Sequence, residues 1–129
     1  MAQNKIVLVL EDEVPLQNAI KSKLDKNGFD VVTARNVDQA LNHLADIQSI
    51  DIIWLDHYLL GRDTGLDFVV KLKNDYRWKK IPIFVVSNTA SADKIKAYIA
   101  LGVEKYYTKS DYRLDIIIEE MKKLINKGI

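Results

Sequence analysis

Five short runs, each followed by a stretch with helical periodicity, constrain the fold of this chain more than any other feature. The runs cover residues 6–10, 29–34, 50–55, 83–86 and 105–108. Their length and β-branched content are typical of strands in a parallel sheet, where both faces are covered. Strands that alternate with helices predict helices on both faces and right-handed crossovers. The last run is the least apolar, so we place it at an edge.

The helical stretches are delimited by polar residues and glycine. Asn36 with Gln39 three residues later resembles a capping box and predicts the start of the second helix. The fourth helix is expected to begin at Ser91 or Asp93 and to end at Gly102. Its core-facing residues are predicted to be Ile95, Ile99 and Leu101.

Length and composition limit the class of protein. A chain of 129 residues fits one domain, expected over residues 1–129 with a core of about 5–127 and without an output domain. The net charge is +1 and the charges are mixed along the chain, which favours neither nucleic acid nor a membrane as a partner. The chain has no cysteine, which excludes disulfides and thiolate catalysis. Because the first apolar run is too short for a signal peptide, we expect a cytoplasmic protein.

Polar residues follow four of the five predicted strands directly. They are Glu11, Asp12, Asp56, Ser87 and Lys109. In a parallel sheet the carboxyl ends of the strands share one edge, which is where open α/β folds place their ligands. Carboxylates that gather at one edge repel each other unless a cation lies between them. Oxygen ligands of this kind favour magnesium or calcium.

Three carboxylates, a hydroxyl and an ammonium suit phosphoryl transfer better than hydrolysis. A divalent metal held by Asp12 and Asp56, with Glu11 acting directly or through water, would offset the negative charge and bind a phosphoryl oxygen. Asp56 could then attack phosphorus with its other oxygen. Lys109 would neutralise charge and Ser87 would donate a hydrogen bond to the phosphoryl group.

Four short motifs, in this order and at this spacing, identify a family. They are Val9-Leu10-Glu11-Asp12-Glu13, Ile53-Trp54-Leu55-Asp56, Val85-Val86-Ser87 and Tyr106-Tyr107-Thr108-Lys109. With them the chain resembles a response-regulator receiver domain, similar to the single-domain chemotaxis regulators, over residues 5–127. The resemblance implies a flavodoxin-like α/β fold with five parallel strands in the order 2-1-3-4-5.

The resemblance also implies a function and a metal site. Asp56 would accept a phosphoryl group from a histidine kinase or a histidine phosphotransfer protein. Mg²⁺ would be held by Glu11, Asp12, Asp56 and the backbone carbonyl of Tyr58. Lys109 would contact the phosphoryl group. The protein is then no conventional enzyme, but one that catalyses its own phosphorylation and slow autodephosphorylation.

A switch follows from the same resemblance. Ser87 and Tyr106 would form the switch pair: Ser87 moves towards the phosphoryl group, and the Tyr106 ring fills the space. The surface of helix 4, strand 5 and helix 5 would then dock a downstream protein. The chain itself is expected to be a monomer or a weak dimer.

The sequence departs from the family pattern near the acceptor. Ser110 follows Lys109 where receivers usually have proline after a cis bond, so a trans bond is expected here. Tyr58 is bulkier than usual, and the loop from Asp56 to Gly65 is one residue longer. His57 follows the acceptor and should point away from the site, in a structural or surface role.

Three alternatives compete with this interpretation. A degenerate receiver would act as a docking module that needs no phosphorylation. A flavodoxin shares the sheet order, but the acidic run after the first strand would repel the phosphate of its flavin. A phosphatase of the haloacid dehalogenase type needs two aspartates one residue apart after that strand, and this chain has glutamates on both sides of Asp12.

Overall fold

The apolar run after the N-terminus forms the strand from which the sheet extends on both sides. The computed structural model describes residues 4–88 and 91–126. The five strands are β1 Ile6–Leu10, β2 Asp30–Ala34, β3 Ile50–Leu55, β4 Ile83–Ser87 and β5 Lys105–Thr108. They are all parallel and lie in the order β2-β1-β3-β4-β5. The predicted fold class and strand order are therefore confirmed, and β5 lies at an edge.

Helices follow the strands in alternation. They are α1 Val14–Lys26, α2 Val37–Asp46, α3 Gly65–Lys73, α4 Ala92–Ala100 and α5 Leu114–Asn126, with a short 3-10 turn at Lys109–Asp111. None of the helices within 4–88 and 91–126 is long and apolar enough to cross a bilayer. The predicted end of the core at residue 127 lies outside the described residues.

The alternation of side chains along the strands divides the core into two faces. In β1, Leu8 and Leu10 pack on the face covered by α2, α3 and α4. Val7 and Val9 pack on the other face, which α1 and α5 cover. Each face is buried, which explains why the strands read as continuous apolar runs.

Helix caps fix the entry into two of the helices. The Asn36 side chain accepts a hydrogen bond from the backbone N–H of Gln39 at 2.8 Å, as predicted. The Gln39 side chain does not complete the capping box, because it accepts a hydrogen bond from the backbone N–H of Arg35 and not from that of Asn36. A full capping box begins α3, where Thr64 and Asp67 bond reciprocally.

The inward face of α4 differs from the prediction. Tyr98 is its buried residue, whereas Ile99 is 54% exposed. Ile95 and Leu101 are half-buried. The prediction of Ile99 as a core residue was wrong because it counted only apolar side chains. A tyrosine buries a larger ring, provided that its hydroxyl finds a partner in the interior.

Candidate functional site

The carboxyl ends of β1 and β3 bring three carboxylates together. Glu11 and Asp12 follow β1 and Asp56 follows β3, and each offers an oxygen within 4.8 Å of the others. Glu11 is fully buried, Asp56 is 4% exposed, and Asp12 is half-buried. The residues that the sequence placed at this edge therefore lie in one cluster. Their roles as ligands or acceptor remain predictions.

Lys109 reaches this cluster from the end of β5. Its Nζ lies 2.8 Å from Oε1 of Glu11 and 3.2 Å from Oδ2 of Asp56. The Lys109 side chain is 16% exposed, so the ion pairs are partly screened from water. One ammonium against three carboxylates leaves an excess of negative charge, which a divalent cation would neutralise.

The electrostatics of the cluster follow from this burial. Burial raises the pKa of Glu11 above its ordinary value, although the hydrogen bond from Lys109 opposes the rise. For Lys109, burial lowers the pKa, but the hydrogen bond to Glu11 and the charge of Asp56 outweigh it and raise the pKa. The ammonium is therefore held in its charged form between the two carboxylates.

One oxygen of Asp56 distinguishes this carboxylate from an ordinary buried ion pair. Oδ2 accepts from Lys109, whereas Oδ1 is buried and has no hydrogen-bond partner among the described residues. Buried carboxylate oxygens are normally satisfied, so an orphaned one indicates a place for a metal ion or a reacting group. The donor set, three carboxylates with an unbonded oxygen, fits Mg²⁺.

Tyr58, whose carbonyl was predicted as a further ligand, follows Asp56 by two residues. Its side chain is half-exposed, and its hydroxyl lies 3.4 Å from Nζ of Lys94 in α4. Lys94 also lies 5.3 Å from the centroid of the ring. The bulky side chain is thus directed towards α4, and the carbonyl remains a predicted ligand.

Ser87 and Tyr106, the predicted switch pair, lie close enough to interact. Ser87 is fully buried at the end of β4. Burial raises the pKa of Tyr106, and the interaction with the Ser87 side chain opposes the rise. Tyr106 packs on the face of α4, whereas its neighbour Tyr107 is buried on the face of α5. Tyr106 is therefore the tyrosine that lies on the same side of the sheet as α4.

The backbone of the β1–α1 loop is held by two residues that sequence reasoning missed. The Arg35 guanidinium donates two hydrogen bonds to the carbonyl of Asp12, at 3.1 and 2.8 Å. The Gln17 amide donates to the carbonyl of Glu11 at 3.0 Å. These contacts fix the loop that presents two of the carboxylates. Neither residue belongs to a motif, so the sequence carries no signal for them.

A buried polar pair lies beside the acceptor, and sequence reasoning anticipated one of its two residues. His57 is 5% exposed, and its Nδ1 lies 2.6 Å from the hydroxyl of Tyr98. Burial, and then the charge of Lys94, lower the pKa of His57, so the ring is neutral at neutral pH. A structural role was expected for His57, but its partner in α4 could not be named from the sequence.

Ser110 stands after Lys109 where receivers usually have a proline that follows a cis peptide bond. No cis peptide bond occurs within 4–88 and 91–126, so the bond between Lys109 and Ser110 is trans. The chain turns there into the 3-10 turn, and Lys109 still reaches Glu11 and Asp56.

The family model of the response regulator receiver domain matches residues 7–122. The chain belongs to the response-regulator receiver family. It is thus the receiver domain of a response regulator.

Named relatives support this membership. The chain is 32% identical over 103 residues to the phosphate regulon transcriptional regulatory protein PhoB of Klebsiella pneumoniae, covering 80% of this chain and 44% of that protein. It is 27% identical to the chemotaxis protein CheY1 of Helicobacter pylori, covering 80% of this chain and 83% of that protein. The receiver domain thus spans less than half of the PhoB relatives that it matches.

The structural comparison agrees. The phosphorylated cyanobacterial phytochrome response regulator RcpA superposes with a TM-score of 0.79 at 27% identity, over 94% of this chain and 91% of that one. A response regulator receiver protein from Pseudomonas putida superposes with a TM-score of 0.83 at 23% identity, over 99% of this chain and all of that one. At such identity the second likeness concerns the fold alone.

Proposed function

We propose that this receiver domain takes a phosphoryl group onto Asp56 from a histidine kinase or a histidine phosphotransfer protein. The observation that carries the proposal is the orphaned Oδ1 of Asp56, a buried nucleophile beside two more carboxylates and an ammonium. We place this reaction in the cytoplasm, which is consistent with membership of the receiver family.

The same cluster would hold Mg²⁺. The ligands would be carboxylate oxygens of Glu11, Asp12 and Asp56 together with the backbone carbonyl of Tyr58. When bound, the metal supplies positive charge to the phosphoryl oxygens and to the approaching carboxylate. The regulator Rcp1, a relative by fold, is known in a Mn²⁺-bound form, and such a cation suits the same kind of oxygen ligands.

Asp56 and Lys109 have different roles in the phosphoryl transfer. An oxygen of Asp56 attacks phosphorus, the bond from phosphorus to the donor histidine nitrogen breaks, and that nitrogen regains a proton. Lys109 stays charged throughout and balances the negative charge that gathers on the transferred group. Burial of Asp56 limits access of water, which slows hydrolysis of the resulting acyl phosphate.

The switch begins with competition for one hydroxyl. In the unphosphorylated protein the Ser87 side chain interacts with Tyr106. A phosphoryl group on Asp56 brings strong acceptor oxygens, and Ser87 turns to donate to them. The Tyr106 ring then fills the space that Ser87 vacates. The surface formed by α4, β5 and α5 then favours a downstream protein.

Phosphorylation by a small donor tests the acceptor directly. The parent protein is incubated with acetyl phosphate and Mg²⁺, and intact mass is measured. We expect the mass of one phosphoryl group in the parent and none in Asp56→Asn. Asp63→Asn is the matched control, because Asp63 lies in the same loop but pairs with Lys71 at the surface.

The outcome also decides the alternative. If the parent protein stays unmodified with acetyl phosphate, phosphoramidate and a phosphorylated histidine phosphotransfer protein, the acceptor role is wrong. The chain would then be a docking module that needs no phosphorylation. If Asp56→Asn takes up the group as readily as the parent, another residue is the acceptor.

A further inference from the structure

A buried hydrogen bond joins the residue after the acceptor to helix α4. Nδ1 of His57 and the hydroxyl of Tyr98 lie 2.6 Å apart, and 41 residues separate them in the chain. Tyr98 is fully buried and His57 nearly so. A polar pair in the interior has no water to replace a lost partner, so this bond resists separation.

The backbone at Gly65 packs tightly around His57 and Tyr98. Gly65, the first residue of α3, donates its amide to the carbonyl of His57 at 2.9 Å. A Cβ on Gly65 would lie 2.6 Å from the carbonyl oxygen of Asp56 and 2.8 Å from the Tyr98 hydroxyl. The acceptor backbone and the Tyr98 hydroxyl thus border the same small space. A shift of the Asp56 backbone would be felt at Tyr98, because close-packed interiors transmit strain.

Tyr98 also contacts the switch tyrosine. The rings of Tyr98 and Tyr106 are 5.6 Å apart between centroids and tilted by 46°. Tyr106 in turn interacts with the buried Ser87 at the end of β4. Tyr98 of α4 therefore contacts two residues that connect it to the acceptor site, His57 and Tyr106.

We propose that Tyr98 is a positioning residue that couples Asp56 to helix α4 through its hydrogen bond with His57. The inference rests on the proposed function, because it concerns what α4 gains from phosphorylation of Asp56. Coupling between two sites is reciprocal. A protein that docks on α4 therefore changes the lifetime of the phosphoryl group at Asp56 through the same bond.

Three variants separate coupling from a merely structural role. Tyr98→Phe removes the hydroxyl and keeps the ring against Tyr106. The double variant Tyr98→Phe with His57→Phe removes both polar atoms, so that no buried group is left without a partner. Tyr107→Phe is the matched control, because it deletes the bonded hydroxyl of a buried tyrosine on the opposite face of the sheet.

Two readouts follow on the full chain with Mg²⁺. The first is hydrogen exchange of residues 92–100 before and after addition of beryllofluoride, a phosphoryl mimic. The second is the first-order rate of dephosphorylation after phosphorylation by acetyl phosphate. We expect Tyr98→Phe to lose most of the change in exchange and to shift the rate about fivefold or more, the low end of couplings between sites. The control should behave like the parent.

The double variant separates a loss of coupling from a loss of stability. It should recover the melting temperature that Tyr98→Phe loses, yet still lack the exchange response of α4. A Tyr98→Phe protein that responds like the parent overturns the coupling and leaves the proposed function intact. A double variant that regains both stability and response overturns it as well. A parent that takes up no phosphoryl group overturns the proposed function, and this inference with it.

Discussion

The ammonium of Lys109 lies 2.8 Å from the buried carboxylate of Glu11, although 98 residues separate them along the chain. The contact spans β1 and β5, whose ends are brought to one edge by the parallel sheet. Lys109 therefore supplies positive charge where the buried carboxylates require it. This competition between an ammonium and a metal ion has measurable consequences.

Replacing the ammonium should strengthen metal binding and slow phosphorylation. In Lys109→Met the carboxylates of Glu11 and Asp56 lose a neighbouring cation. We expect Mg²⁺ to bind about tenfold tighter in titration calorimetry, since like charges at this range cost roughly 1–2 kcal/mol. Phosphorylation by acetyl phosphate should slow by about tenfold or more, as a charge-assisted hydrogen bond contributes about 1.5–3 kcal/mol.

Lys21→Met provides the comparison for that result. Lys21 pairs with Asp25 on the exposed side of α1 and should change neither measurement. Mg²⁺ binding that weakens in Lys109→Met would contradict the view that the ammonium and the metal compete for the same oxygens.

Gly65 should tolerate no side chain, for a steric reason. Its Cβ would meet the backbone oxygen of Asp56 at 2.6 Å, and backbone yields less readily than the end of a side chain. We expect Gly65→Ala to lower the free energy of unfolding by about 1–3 kcal/mol, the usual cost of overpacking. Phosphorylation of Asp56 should slow as well, because the displaced backbone carries the acceptor.

Gly28→Ala separates these two effects. Gly28 has a φ of +87° with open space around it, so an alanine there strains the backbone without a clash. A loss of about 1–2 kcal/mol is expected from the left-handed conformation. Urea unfolding should detect both losses, but only Gly65→Ala should alter phosphorylation. Equal phosphorylation of the two variants would argue against contact between Gly65 and the acceptor backbone.

Asp12→Asn should be more stable than the parent without metal and should gain less stability than the parent from Mg²⁺. Asp12→Asn relieves repulsion from Glu11 and Asp56, so the metal-free protein should gain about 0.5–1 kcal/mol. The same variant loses a ligand, so Mg²⁺ should no longer raise its melting temperature as it does in the parent. Thermal unfolding with EDTA and with Mg²⁺ measures both effects.

Asp46→Asn is a suitable control because Asp46 is exposed at the end of α2. It should leave the gain from Mg²⁺ unchanged. An Asp12→Asn protein that is still stabilised by Mg²⁺ as strongly as the parent would place the metal elsewhere.

The convergence of the acidic residues could be predicted because it depends on topology alone. Alternating strands and helices predict a parallel sheet, and parallel strands end at one edge. Glu11, Asp56 and Lys109 each follow a strand directly, so their meeting needs no knowledge of side-chain packing. The parallel sheet with helices on both faces followed from the same alternation, whereas the strand order came from the resemblance to the receiver family.

The residues that support the site could not be predicted in this way. Tyr98 was passed over in favour of Ile99, because periodicity ranks residues by hydrophobicity and not by the partner that a hydroxyl can find. Its partner His57 lies on another element, so no spacing along the chain links them. Arg35 binds a backbone carbonyl, and such a contact leaves no trace in the pattern of residue types.

Acid should weaken the contact between β5 and α5 through one carboxylate. The hydrogen bond from the Tyr107 hydroxyl, and then the nearby Lys105, lower the pKa of Glu120 below its ordinary value of 4.5. A carboxyl whose pKa is lower in the folded state stabilises the fold above its unfolded pKa. That stability is lost as the pH falls through the folded value. The parent should therefore lose stability as the pH falls from about 5.

Tyr107→Phe removes the larger cause of this shift, so the loss with acid should be smaller than in the parent. The difference should be about 0.5–1 kcal/mol, because Glu120 is partly exposed and solvent weakens its interactions. Urea unfolding at pH 7 and at pH 3 to 4 measures it. Glu120→Gln should show the same reduced dependence, since it has no proton to gain. If both variants lose as much stability with acid as the parent, other carboxylates dominate its acid unfolding.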